Sequence, residues 1–293
     1  MPHRRLEEQL EYLRQHYQVL PLDDALQRLW NDEIDGPTAA ITFDDGYRNN
    51  LTIAAPLLAK HRLPATIYLA TGLLGTRARL WTTEVDLVFE DTPVASADLA
   101  PVGLGTVLLR TPAERSQACA VVKQRLKTLT DDDRAHAISA IKQALGTAIV
   151  DPSDDFALMS WHEVQQMAQD GLTTFGGHTV NHVILSRSSD EAVASEIRAS
   201  VTDVRDRSNA VSETFAYPNG RRVDFDGRAQ DALRALGVRA AVTTIEGLND
   251  RHTDRFALRR VAVGDDMTLA DFKLRTSGFL PALRERFGRE PDA

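Results

Sequence analysis

Six short apolar runs, each bounded by turn residues and separated from the next by a helix-length amphipathic stretch, constrain this chain more than any other feature. Residues 39–43, 65–70, 173–175, 214–217, 240–244 and 256–263 read as strands. The first, with apolar positions in near-continuous order, reads as buried on both faces, the pattern of a parallel sheet covered by helices. Helical spacing runs through Leu6, Leu10, Leu13 and Tyr17, then Leu22, Leu26 and Leu29. It returns at residues 50–60, at Val193, Ile197, Val201 and Val204, and at residues 229–236. Pro56 should kink the third of these helices or set its true start. Strand–helix–strand at this spacing builds right-handed parallel units. Six strands alternating with helices favour a barrel-like α/β fold over a doubly wound sheet.

Between about residues 76 and 158 the alternation breaks. Thr111-Pro112-Ala113-Glu114 combines an N-cap, a first-turn proline and a capping-box acid. Asp131, Asp132 and Asp133 open another helix, where their charge suits the helix dipole. This segment is expected to be a mostly helical insertion within one domain spanning residues 1–293. A second capping box, Ser160-Trp161-His162-Glu163, opens the helix that follows. With 293 residues, 43% of them hydrophobic, the chain can bury a core of that size.

Chemistry concentrates at two strand ends. Asp44 and Asp45 stand side by side where the first strand should stop, before Gly46. Adjacent carboxylates at the edge of a core repel, so one should titrate high unless a cation lies beside it. Far along the chain, Gly176-Gly177-His178-Thr179-Val180-Asn181-His182 sets two imidazoles four residues apart behind a glycine pair. On a helical turn that spacing puts both rings on one face, where a single cation can bridge them. Two imidazoles and one carboxylate form a three-ligand set with open positions, the pattern of a catalytic metal site.

Thr42-Phe43-Asp44-Asp45-Gly46 and His178-Thr179-Val180-Asn181-His182 resemble the first two motifs of the polysaccharide deacetylases, carbohydrate esterase family 4 with its NodB-homology domain. Phe215-Ala216-Tyr217-Pro218-Asn219-Gly220 resembles the third, and the likeness runs from about Leu6 to Phe279. The resemblance implies a distorted (β/α) barrel, a divalent metal, most often Zn²⁺, and removal of acetyl groups from an acetylated carbohydrate. It implies that Asp44 is the general base and that Asp45, His178 and His182 are the metal ligands. The backbone N–H of Asn219 falls where the family places its oxyanion donor. Trp81 and Tyr217 are candidates to line a sugar-binding face.

Two departures stand out. Ala216 occupies the position where the family's third motif carries an arginine that orients the base, and Arg259 or Arg260 is the candidate to replace it. The family's Leu-x-His motif, which supplies the acid, has only Leu258-Arg259-Arg260 in its place, and His252 lies in a polar loop. Two functions follow: a metal-dependent deacetylase, of N-acetyl groups in the first instance, with O-acetyl esters or other non-peptide amides as variants, or a weakened relative that binds carbohydrate or another partner.

The remaining composition excludes other classes. A formal charge of −8 gives no footprint for nucleic acid. The single cysteine, Cys119, has no internal partner for a disulfide. No run approaches the length of a membrane span, and the N-terminus has no apolar signal core. As given, the chain reads as cytoplasmic, although members of the family it resembles are often exported.

Overall fold

The computed structural model describes residues 3–147 and 156–278. Helices α1 (His3–His16) and α2 (Leu22–Trp30) flank the two-residue strand β1 (Gln18–Val19). β1 runs parallel to β2 (Thr38–Ala39), which passes through Ala40 into β3 (Ile41–Phe43). A π-helical turn (Asn50–Ala54) then precedes α3 (Ala55–His61). Pro56 thus marks the start of the regular helix, where its missing N–H breaks no intrahelical bond. Strand β4 (Ala65–Leu69) completes the first parallel unit, with every side chain buried.

The insertion follows. It holds α4 (Trp81–Glu90), an antiparallel hairpin of β5 (Ser96–Asp98) and β6 (Thr106–Leu108), α5 (Pro112–Leu126) and α6 (Asp131–Leu145). Val85, Phe89, Val122, Leu126, Ile141 and Leu145 fill a core of its own. The hairpin was not legible in the sequence, because strands of three residues carry no measurable periodicity.

The chain rejoins the sheet through α7 (Trp161–Ala168) and β7 (Thr173–Gly177), then α8 (Asp190–Arg207), β8 (Val211–Ala216), α9 (Gly227–Ala235), β9 (Ala240–Glu246), β10 (Leu258–Arg260) and α10 (Leu269–Thr276). The six-stranded sheet has the order β10-β9-β8-β7-β4-β3, and every pairing is parallel. It curls into a half-barrel with helices outside, and Tyr68, Phe175 and Phe215 lie fully buried along its central strands. The last strand is shorter than the expected 256–263; the Arg/Glu-rich end of the chain, which reads from its composition as a solvated tail, lies outside the described residues from Phe279 onward.

One expectation fails in an informative way. The run at 39–43 was to be buried on both faces, yet Ile41, Thr42 and Phe43 are only half-buried. β3 is an edge strand, hydrogen-bonded within the sheet to β4 alone. The barrel therefore has a seam between β3 and β10. Side chains cross it: Arg260 Nη1 donates to Thr42 Oγ1 over 3.2 Å.

Both capping boxes form as read, at Thr111–Glu114 and at Ser160–Glu163. Glu163 also accepts from Arg48 Nε at 2.7 Å, tying α7 to the segment after β3. Burial pushes its carboxyl up, but the Ser160 N–H and hydroxyl and the Arg48 guanidinium more than offset this and leave it below the ordinary glutamate value. A depressed folded-state value means that the stabilisation is complete above the unfolded value and lost as pH falls through the folded one. Glu163→Gln should therefore cost about 1–2 kcal/mol at neutral pH. In urea unfolding, its deficit relative to wild type should shrink between about pH 6 and pH 3; a deficit independent of pH would refute the assignment.

Candidate active site

Asp44 and Asp45 leave the C-terminal end of β3 in opposite directions. Asp45 has a φ of 75° and Gly46 one of 81°, a left-handed pair that reverses the chain. Gly46 N–H donates to the Asp44 carbonyl at 2.9 Å. A non-glycine residue in this region costs on the order of 1 kcal/mol, and such strain collects at functional sites. Thr179, His182 and Asn219 share the feature, with φ of 61°, 55° and 59°.

His178 and His182 come from the loop after β7. That loop is not the helical turn the spacing suggested. Its left-handed residues at Thr179 and His182 fold it back, so that the two imidazoles meet edge to face with centroids 5.0 Å apart. The glycine pair explains how the strand can deliver them. A Cβ on Gly176 would lie 2.6 Å from the Thr214 carbonyl and 2.7 Å from the Tyr68 ring. Glu196 of α8 secures the loop, accepting from Val180 N–H at 2.8 Å, Asn181 N–H at 2.9 Å and Asn181 Nδ2 at 2.7 Å. Its role was invisible in the sequence, where it is one acid among several on an amphipathic helix.

His178 Nδ1 donates to the Ala216 carbonyl at 2.7 Å, which fixes its tautomer and leaves Nε2 directed at Asp45. His178 Nε2 lies 3.4 Å and His182 Nε2 3.3 Å from Asp45 Oδ1. Burial lowers the basicity of His178, but the Asp45 and Asp44 carboxylates and the Ala216 carbonyl raise it above the ordinary value overall. Burial, partly opposed by Asp45 and assisted by His178, pushes His182 down to about 4. His182 is thus a neutral imidazole at physiological pH, the form a metal ligand requires.

These residues fit a divalent ion. Three donor atoms, one each from Asp45, His178 and His182, lie within 4.8 Å of one another. Asp45 Oδ1 is buried and accepts no hydrogen bond. Ligands held tetrahedrally at about 2.0–2.2 Å stand about 3.3–3.6 Å apart, the separation found between Oδ1 and each Nε2. One carboxylate with two imidazoles is a donor set suited to zinc and leaves positions open.

Asp44 faces the other way, into a two-pronged contact with Arg260. Nη1 meets Oδ1 and Nη2 meets Oδ2, each at 2.7 Å, while Arg260 Nε donates to the Thr243 carbonyl at 2.6 Å. Of the two arginines considered for the missing motif position, Arg260 makes this contact. Burial alone would raise the Asp44 carboxyl. Arg260 overrides it, with help from the histidines, and holds the group at about 2. The cation foreseen as relief for the paired carboxylates is therefore a side chain from the far edge of the sheet.

Asn219 lies three residues beyond the carbonyl that His178 holds, and its own carbonyl accepts from Thr244 Oγ1 at 2.6 Å. The two proposed sugar-lining aromatics are corrected by the structure. Tyr217 is 1% exposed, stacked on Phe225 with centroids 4.0 Å apart, and donates its hydroxyl to the Phe256 carbonyl. Trp81 is nine-tenths buried in the insertion's core, with the Arg134 guanidinium 5.1 Å from its ring centroid. Both are apolar bodies consumed by packing, which leaves neither ring a face for a sugar. His252 is exposed in its polar loop, as expected.

Tyr47 escaped sequence reasoning. Its hydroxyl lies 2.5 Å from Thr83 Oγ1 of the insertion, and burial, then the Asp45 charge, raise its titration. The only signal was its place two residues after Asp45.

A profile of the polysaccharide deacetylases matches residues 31–96 and 119–241, well over half of the sequence. The chain belongs to that family. The stretch left unmatched between these two blocks lies in the insertion, around β6 and the start of α5. Among solved structures, this chain is similar to the Streptococcus pyogenes deacetylase PplD in complex with acetate, at 18% identity and a TM-score of 0.60 over 94% of this chain and 86% of that one. It is also similar to IcaB from Ammonifex degensii, at 17% identity and a TM-score of 0.60 over 94% and 88% of the two chains. The BpsB deacetylase domain from Bordetella bronchiseptica gives 16% identity and a TM-score of 0.51 over 85% and 81%. At these identities the likeness carries the fold. No curated protein matches the sequence.

Loss of Glu196 should free the histidine loop without touching a ligand. Glu196→Ala is expected to weaken binding of added Zn²⁺ by up to about tenfold, the low end of what removing a group bonded directly to a ligand costs, because Glu196 holds the loop and not an imidazole. Competition with a chromophoric chelator would measure it, and unchanged affinity would show that the loop holds itself.

Proposed function

We propose that this chain is a divalent-metal-dependent deacetylase that hydrolyses the acetyl group, N-acetyl in the first instance, from a sugar of an oligosaccharide or polymer. The observation that carries the proposal is the division of labour between adjacent carboxylates: Asp45 turned to two imidazoles, Asp44 turned to a guanidinium. A site built only to hold an ion gains nothing from the second carboxylate.

Asp45, His178 and His182 would hold the ion, which supplies Lewis acidity towards the acetyl carbonyl and acidifies water. Asp44 takes the proton of the attacking water, a role that contributes roughly a hundred- to ten-thousand-fold. Arg260 keeps its carboxylate ionised and fixed in direction. The Asn219 backbone N–H donates to the oxygen on which negative charge develops. The leaving nitrogen must be protonated, and among the described residues no histidine lines the cavity that Asp44 borders. Asp44 itself serves as the donor, returning to the leaving nitrogen the proton it took from the water.

Arg260 also weighs against the reading of this chain as a weakened relative, because it makes good the arginine missing at Ala216. The deciding experiment is metal analysis of the purified protein, paired with acetate release from N-acetylated and O-acetylated oligosaccharides before and after chelation. Stoichiometric metal with no acetate from any of them would favour a binding protein instead.

A further inference from the structure

The two loops that carry Asp45 and His182 are both tied to the insertion, and to different parts of it. On the Asp45 side, the Tyr47 hydroxyl shares a hydrogen bond of 2.5 Å with Thr83 Oγ1 of α4, a buried residue. The segment that returns from the insertion to the sheet pairs with the same loop. Tyr47 forms an antiparallel bridge with Leu158, Met159 N–H donates to the Gly46 carbonyl at 2.9 Å, and Arg48 N–H donates to the Ala157 carbonyl at 2.8 Å. On the histidine side, Ser188 Oγ donates to Asp131 Oδ2 of α6 at 2.9 Å. Asp131 also pairs with the buried Arg134, which lies over the Trp81 ring. Ile184, two residues past His182, is fully buried in the insertion's own core.

Both loops need such support. Asp45 and His182 hold left-handed backbone, which persists only where the surroundings over-determine it. A site for one ion requires its donors within about 0.5 Å of the productive geometry. The sheet alone supplies little of this on the Asp45 side, because β3 is paired along one edge only. Glu196 holds residues 180 and 181 from α8, whereas Ser188 and Ile184 fix the stretch beyond His182. Among the described residues the insertion adds no ligand of its own to the cluster. What it adds is the distance between the two loops.

We propose that the insertion is a positioning element for the metal centre: Tyr47 with Thr83, and Ser188 with Asp131, hold the Asp45 and His182 loops at the separation that one divalent ion needs. The proposal rests on the reading of Asp45, His178 and His182 as ligands. It assigns to Tyr47 and Ser188 an effect on the ion that neither side chain touches. Without these bonds the loops relax, a smaller fraction of the apoprotein is competent to bind, and apparent affinity falls by that fraction.

Chelator competition with added Zn²⁺, and the visible absorption of the protein loaded with Co²⁺, test this without any substrate. Tyr47→Phe, Thr83→Val and Ser188→Ala should each weaken Zn²⁺ binding about three- to tenfold, the reach of one net hydrogen bond. Tyr47→Phe combined with Thr83→Val should lose no more than either alone, because the two share one bond. The Co²⁺ band, which reports coordination geometry, should change in Tyr47→Phe and in Ser188→Ala. Val122→Ala serves as the control: it hollows the insertion's core without removing either hydrogen bond. It should lower the denaturant midpoint of the protein while leaving ion affinity and spectrum as in wild type. Wild-type affinity and spectrum in both Tyr47→Phe and Ser188→Ala would overturn the proposal. So would an equal loss of affinity in Val122→Ala, which would reduce the effect to general stability. A wild-type protein that binds neither ion would overturn the ligand reading itself, and this proposal with it.

Discussion

Asp44→Asn should release acetate roughly a hundred- to ten-thousand-fold more slowly than wild type while binding its metal unchanged. The substitution keeps the shape of the side chain and one acceptor oxygen, so the fork of Arg260 still finds a partner. It removes the capacity to accept a proton. Because Asp45 and both imidazoles are untouched, metal content should stay at the wild-type level. The pair of readouts makes the test sharp. A fall in both would mean that Asp44 belongs to the metal centre, and no fall in acetate release would remove it from the chemistry.

The second large effect is expected at Arg260. Arg260→Met fills most of the same volume but leaves the Asp44 carboxylate, 28% exposed, without its cation. Removing one partner of a buried pair costs more than the pair ever contributes, because the other charge stays behind uncompensated. For this partly exposed pair a loss of about 3 kcal/mol is expected, together with at least about a tenfold fall in kcat. The loss also unties the seam, since the same guanidinium bonds Thr42 and the Thr243 carbonyl. Arg260→Lys should recover part of the stability and little of the activity, because an ammonium restores the charge but not the planar fork. Denaturant unfolding and steady-state acetate release measure the two separately. A methionine variant as stable and active as wild type would show that Asp44 needs no cation.

Neither substitution could have been ranked from the sequence with equal assurance. Asp44 announced itself, because two carboxylates at the end of an apolar run are costly without a purpose. Arg260 did not. It shared its candidacy with Arg259, and alternation along a three-residue strand at an uncertain boundary could not say which would face Asp44. Glu196 and Tyr47 were harder still, since a carboxylate on a helix and a tyrosine after a turn carry no signal of what they touch.

The sequence by itself determined the parallel strand–helix order, the helix starts at Thr111 and Ser160, the two carboxylates and the two imidazoles. Each is a local matter, written in periodicity, capping chemistry and the cost of burying charge. Only the tertiary structure decided that the sheet stays open between its first and last strands, that one arginine spans this opening to Asp44, and that Tyr217 and Trp81 lie in cores. Those outcomes depend on how elements more than a hundred residues apart come together, and the curl of the sheet, not any spacing along the chain, sets which side chains meet.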